Sequence, residues 1–263
     1  MELNLSGKVI MVAAASKGLG YGIAKAVAQE GAKVSIASRD PSAIVQSADN
    51  LADETGAEIM GCSFDATDSA SILQWRDQTV ARFGGVDGLV VNAGGPPTGN
   101  FDSFDDADWQ AAFELTLLSS VRMIKSVLPE MRKRGQGSIV TITSSSIKEP
   151  IDVLLLSNVM RSGVVSLAKS LSQQLAPESI RVNNLVPGRI DTDRVRSLDE
   201  IAATKQGTTA ETIKQRGEQL IPIGRYGHAD EFGKAGAFLL SDAASYITGV
   251  TLAVDGGSMR SVW

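Results

Sequence analysis

The chain reads as a doubly wound α/β fold, a parallel sheet with helices on both faces. Three observations predict it. Short apolar, β-rich runs alternate with longer helical patterns along the whole length. Several of those runs are apolar almost throughout, as strands covered on both faces must be. The first run opens into glycines and then a helix, the order of a dinucleotide-binding turn.

Taken in order, "KVIMVAAA" is the first strand candidate and a helix follows over residues 19–29. "AKVSIAS" and "EIMGCSF" are the second and third, and a helix follows over 69–83. "VDGLVVNAG" is the fourth, with a long helical stretch over 107–134 behind it. After "GSIVTITSS", the fifth, comes a helix over 154–176. There Val164, Leu167, Leu171 and Leu175 recur at helical spacing and give a buried stripe. "IRVNNLVPG" is the sixth strand. The polar stretch over 193–219 has no strand character and reads as a helical excursion over a cleft. A helix over 230–240 and a last strand, "GVTLAVDGG", close the pattern. No internal repeat, low-complexity tract or linker interrupts it, so residues 1–263 read as one domain.

Composition narrows the function classes. Hydrophobic content of 43% is ample for a large core. A net charge of -5 gives no electrostatic case for nucleic acid or an anionic membrane. No apolar stretch approaches the ~20 residues of a membrane span. The start has no basic region ahead of its apolar run, so a signal peptide is not expected. Cys62 is the single cysteine and cannot form an intrachain disulfide. It reads as a buried, inert thiol, and a cytoplasmic location is expected. No metal site is predicted.

The first strand leads into "AAASKGLGYGIAKAVAQEGAKVSIASRD". The small Ala14, Ala15 and Ser16 let the chain turn tightly. Gly18, Leu19 and Gly20 then open a helix whose first N–H groups can meet a pyrophosphate. The second strand ends at Ser38 and Arg39, followed by Asp40. An acidic residue at the strand end would repel a 2′-phosphate. Arg39 instead reads as a clamp for it, and Lys17 is a second cation. NADP(H) is therefore the expected cofactor, with NAD(H) the second candidate. Asp40 is the residue that could pair with Arg39 instead.

These motifs, with "DAT", "VNAGG", "SIVTITSSS", "IRVNNLVPGRIDT", "IPIGRYGHADEFGKAGAFLLSD" and "ASYITGVTLAVDGG", make the chain resemble the short-chain dehydrogenase/reductase family over nearly its whole length. It is most similar to that family's reductases of 3-oxoacyl chains on acyl carrier protein. The resemblance implies a Rossmann-type sheet of seven parallel strands, NAD(P) binding and a homodimer or homotetramer. It places Asp65 and Ala66 beside the adenine, and Asn92, Ala93 and Gly94 along the cofactor. Pro187, Gly188 and Thr192 fall near the nicotinamide. Ala14 stands where the family's turn has its first glycine. The interfaces implied are the helices over 107–134 and 154–176, and the C-terminal end through Trp263.

The family's reaction uses Ser, then Tyr thirteen residues later, then Lys four beyond, with an Asn on an earlier helix. Here Ser144 keeps the serine, but Ser157 replaces Tyr, Arg161 replaces Lys and Thr116 stands at the Asn position. Ser157 and Arg161 still share one helix face. An alkyl hydroxyl is a far weaker acid than a phenol, and guanidinium does not act as a base. Arg161 can hold ribose hydroxyls, a carboxylate or a developing oxyanion. Neither Tyr21, Tyr226 and Tyr246 nor His228 looks placed to donate a proton. Lys148 and Glu149, close after Ser144, are the best substitutes, with Lys148 able to act as acid or base if partly desolvated beside Arg161. The candidate catalytic residues are thus Ser144, Ser157, Arg161 and Lys148. The reading favours hydride transfer between NADP(H) and a small carbonyl, alcohol or acyl substrate, the proton coming from Lys148 or from a water held by Ser144 and Ser157. An inactive NADP(H)-binding sensor or partner protein is the alternative, and a non-redox enzyme ranks last.

Overall fold

A computed structural model describes residues 2–262. Seven strands form one sheet: β1 (Val9–Ala13), β2 (Lys33–Ser38), β3 (Ile59–Ser63), β4 (Gly88–Val91), β5 (Gly137–Ile142), β6 (Ile180–Pro187) and β7 (Thr251–Val254). Their order is β3-β2-β1-β4-β5-β6-β7, and every pairing is parallel. This is the Rossmann-type architecture the sequence predicts. The central strands β1, β4 and β5 are buried along their whole length, which is why their sequences show no polar alternation.

Two layers of helices cover the sheet. On one face lie α1 (Gly18–Gln29), α2 (Pro41–Thr55) and α9 (Ala229–Leu240), which bury Ile23, Val27, Leu51 and Phe232. The close contact of α1 with α9 requires glycine. A Cβ on Gly233 would come 2.2 Å from the carbonyl oxygen of Gly22. On the other face lie α3 (Ser69–Phe83), α5 (Ser119–Arg134) and α6 (Leu155–Gln174), which bury Trp75, Ile124, Met131 and Ala168. Cys62 is buried and unpaired in this layer, and burial pushes its thiol up to about 11.

α2 is marked at its ends more than along its face. Asp40 accepts from the amides of Ser42 and Ala43, Pro41 is the first helical residue, and Gly56 ends the helix at φ 70. The stretch over 107–134 is not one uniform helix. α4 (Asp106–Ala112) passes through a π-helical turn, Phe113–Leu118, before α5 begins. Thr116 sits in that turn. Its carbonyl accepts from the Ser119 and Ser120 hydroxyls, while its own buried Oγ1 has no partner among the described residues. The polar stretch beyond β6 folds as α7 (Asp193–Gln206) and α8 (Ala210–Gln219), separated at Gly207, which has φ 62. No helix of the described residues is long and apolar enough to cross a membrane.

Candidate active site

β1 and β4 are neighbours, and the chain winds outward from them in opposite directions. That leaves a crevice at the carboxyl ends of the strands, where ligands bind in such sheets. Here it is a cleft of ≈ 1440 Å³, larger than the roughly 300–1,000 Å³ of an ordinary small-molecule pocket.

The turn after β1 forms its floor. Ala14 takes φ 49, a left-handed conformation that costs an L-residue roughly 1–2 kcal/mol. Asn92, at the end of β4, donates to the Ala14 carbonyl at 3.3 Å, so it bridges neighbouring strands while lining the cleft. Gly20 does not line the cleft. It packs beneath the turn, where a Cβ would come 2.7 Å from the Ala14 oxygen. Ser16, Gly18 and Leu19 do line it. No side chain caps the start of α1 and no acidic residue lies in its first turn, so its leading N–H groups face the cleft unclaimed.

Ser38, Arg39, Asp65 and Ala66 line the β2 end. Asp40 is engaged as the α2 cap and Arg39 is exposed. The amide and hydroxyl of Thr67 both donate to Asp65, and with Arg39 nearby they hold its carboxyl below the usual range. Lys17 meets a partner that the sequence did not indicate. Its ammonium pairs with Asp193 at the start of α7, at 2.8 Å, in an exposed bridge across the cleft. Beside Gly94 the space is open, since an added Cβ would meet no atom within 4 Å, and Ala93 lines the same wall. An uncapped helix start, an open glycine wall and an arginine at the far end fit an extended nucleotide.

At the other end, Ser144, Ser157 and Arg161 all reach the cleft, as do Pro187, Gly188 and Thr192. Arg161 donates through Nε to the Ser157 hydroxyl at 3.1 Å and through Nη1 to the Ile142 carbonyl at 3.0 Å. Burial, reinforced by the Arg194 guanidinium, draws the Arg161 pKa down to about 10, so it stays protonated at neutral pH. The Ser144 hydroxyl accepts from the Ser146 amide at 3.2 Å. Both serine oxygens therefore accept a hydrogen bond while their own O–H groups are free to donate.

Lys148 is separated from this group. A 3₁₀ turn, Ser145–Ile147, carries it to the surface, where it is exposed and not among the residues lining the cleft. No tyrosine lines the cleft either. Tyr21 donates to Glu54, and burial first, then that carboxylate, pushes it up to about 12. Tyr226 is buried and donates to Asp199, with burial again the main cause of a pKa of about 12, and Tyr246 is fully exposed. His228 is the N-cap residue of α9, its amide donating to Glu231.

Sequence reasoning passed over Arg194, Leu198 and Ile201, which α7 presents to the cleft. The available signal was the position of Arg194, two residues beyond Thr192.

A crevice at the strand ends of a seven-stranded parallel sheet, reached by a glycine turn and by Ser144, has the architecture of a class: oxidoreductases of the Rossmann type. The family described as Enoyl-(Acyl carrier protein) reductase matches residues 13–259. The 3-oxoacyl-[acyl-carrier-protein] reductase FabG of Escherichia coli (strain K12) is 35% identical over 97% of this chain and 98% of its own. Human dehydrogenase/reductase SDR family member 4 is 33% identical over 97% of this chain and 88% of its own. L-sorbose reductase from Gluconobacter frateurii, solved with NADPH and L-sorbose, superposes with a TM-score of 0.95 at 27% identity, covering 100% of both chains. The chain belongs to the short-chain dehydrogenase/reductase family of oxidoreductases.

Proposed function

We propose that this protein is an NADP(H)-dependent reductase that moves a hydride between the cofactor and a carbonyl or alcohol substrate, with a proton from water in place of the family's phenol. The observation that carries the reading is the joining of the two ends: one cleft holds the uncapped α1 start, Arg39 and the Ser144–Ser157–Arg161 group. Its relatives include an NADPH complex of a sugar reductase, which supports the choice of cofactor.

The bound cofactor would supply hydride at its nicotinamide. The α1 amides would take its phosphates and Arg39 its 2′-phosphate. Lys17 would join them by leaving Asp193, since an exposed pair of this kind is worth only about 0–1 kcal/mol. Asp65 and Ala66 would border the adenine, and Pro187, Gly188 and Thr192 the nicotinamide. Ser144 and Ser157 would donate to the substrate oxygen and stabilise it as charge develops. Arg161 polarises the Ser157 hydroxyl, so this serine acts as a hydrogen-bond donor and not as an acid. Lys148 lies too far toward solvent to be preferred as the proton source. We place the whole chain in one nucleotide-binding unit in the cytoplasm. It would assemble as a homodimer or homotetramer through α4, α5 and α6 and through the exposed edge strand β7. Trp263, part of that expected interface, lies outside the described residues.

Fluorescence titration with NADPH and NADH, followed by NADPH oxidation with a panel of carbonyl compounds, tests the proposal. The expected result is tighter NADPH binding with turnover. Tight binding without turnover on any carbonyl makes the protein a sensor, and no nucleotide binding removes the redox reading. Light scattering showing only a 27.6 kDa particle would refute the oligomer.

A further inference from the structure

Arg161 is a partly buried cation without a counter-charge. Among the described residues neither it nor Arg194 lies within ion-pair distance of a carboxylate, although every other arginine of α7 and the preceding loop does. Arg161 has spent Nε on Ser157 and one bond of Nη1 on Ile142, which leaves the Nη2 face open. The Arg194 guanidinium makes no hydrogen bond within the described residues. It stands over Gly95, where an added Cβ would come 3.3 Å from its Nη2. Both guanidiniums line the cleft, and their like charges oppose each other. A partly desolvated positive charge with a second one near it is costly unless an anion joins them.

The cofactor's phosphates have their own cradle at the turn after β1. Arg161 instead hangs from the carbonyl of Ile142, the last residue of β5, two strands away in the sheet. Ser144 follows Ile142 by two residues, so the cation pair sits at the reacting end. The walls beyond it are apolar. Ile151, Val153 and Ile201 line the cleft while remaining 39%, 46% and 58% exposed, surface that an apolar ligand would cover.

We infer that the substrate is an apolar carbonyl compound with a carboxylate close to its reacting carbon, the carboxylate gripped between Arg161 and Arg194 and the remainder lying along Ile201 of α7. The inference rests on the hydride-transfer reading. Hydride addition forms the C–H bond, moves the carbonyl π pair onto oxygen and leaves an alkoxide that takes its proton from water, while the cofactor is oxidised. With a carboxylate beside that alkoxide, two negative charges develop in one partly enclosed site. Two guanidiniums offset them, whereas the family's Tyr and Lys would supply a single cation. The position of Arg161 is thereby explained as a gain of carboxylate recognition, through the planar fork that lysine lacks.

The probes are 2-oxo-4-phenylbutanoate and its ethyl ester, each with NADPH and the full-length protein. The acid should exceed the ester in kcat/KM by about 100-fold or more, as expected for a charge-assisted, bidentate contact. Arg194→Gln removes an exposed side chain, and should cut that ratio at least tenfold, mainly through KM, with NADPH affinity held within about twofold. Thermal shifts of the NADPH-bound protein separate this claim from the redox reading. If neither probe turns over, but the acid alone raises Tm in wild type and not in Arg194→Gln, the carboxylate grip stands and the reductase reading fails. Equal behaviour of acid and ester, including no response to either, overturns the inference. So does an Arg194→Gln variant that loses NADPH affinity at least tenfold while keeping the acid-to-ester ratio, since the pair would then serve the cofactor.

Discussion

Around Arg39 the carboxylates of the cleft have partners within the chain: Asp40 caps α2 and Asp65 is held by Thr67. Around Arg161 the opposite holds. The Arg194 guanidinium and the Arg161 Nη2 make no side-chain hydrogen bond or ion pair among the described residues. Both regions belong to one cleft at the ends of the same sheet. A region that satisfies itself acts as a scaffold, needing only a ligand that matches its shape. One that carries unpaired groups is completed by what binds there, because buried polar atoms otherwise remain unsatisfied. On the proposed reading, the carboxylates of the nucleotide end are of the first kind and the guanidiniums of the substrate end are of the second.

The largest expected effect is at the substrate end. Ser144→Ala combined with Ser157→Ala removes both hydroxyl donors, and kcat should fall by about 10²–10³-fold or more with NADPH affinity unchanged. A loss of NADPH affinity equal to the loss of rate would show that the two ends are not separable. Next is Arg39→Ala, which should weaken NADPH by roughly ten- to a hundredfold and leave NADH unchanged, the loss of one charge-assisted contact of about 1.5–3 kcal/mol. Equal weakening of both nucleotides would place Arg39 away from the 2′-phosphate.

Ala14→Gly tests the scaffold's own strain. Relief of the left-handed alanine, less the greater freedom of glycine in the unfolded chain, should raise stability by up to about 1 kcal/mol, read from denaturant or thermal unfolding. A destabilised variant would mean the methyl packs usefully. The smallest effect is predicted for Lys148→Met, whose rate should stay within about twofold of wild type because the residue is on the surface. A fall of ~10²-fold would restore Lys148 as the general acid and break the account of the two serines.

The sheet and the glycine turn are legible because their signals are local. An unbroken apolar run such as "GLVV", or glycines between a strand and a helix, already says which backbone groups are buried or left free. The π-helical turn at Phe113–Leu118 is not legible, since the helical pattern runs through it without a break. Nor is the position of Arg194. A charge in a polar stretch reads as solvated until α7 folds over the cleft and sets it, still exposed, on the cleft wall. Lys148 shows the reverse: nearness to Ser144 in sequence places it at the site, and the intervening 3₁₀ turn takes it away. α2 lies between, because only Ile44, Ser47, Ala48 and Leu51 are buried on it, yet its caps are written in Asp40, Pro41 and Gly56.

The most direct test of a scaffolding nucleotide end serving a reactive substrate end is single-turnover oxidation of bound NADPH, followed by absorbance at saturating protein with each carbonyl compound in turn. The account predicts that the nicotinamide absorbance decays with at least one carbonyl-bearing acid, and that the decay slows in Ser144→Ala while binding does not. Tight NADPH binding with no decay for any carbonyl compound would contradict it.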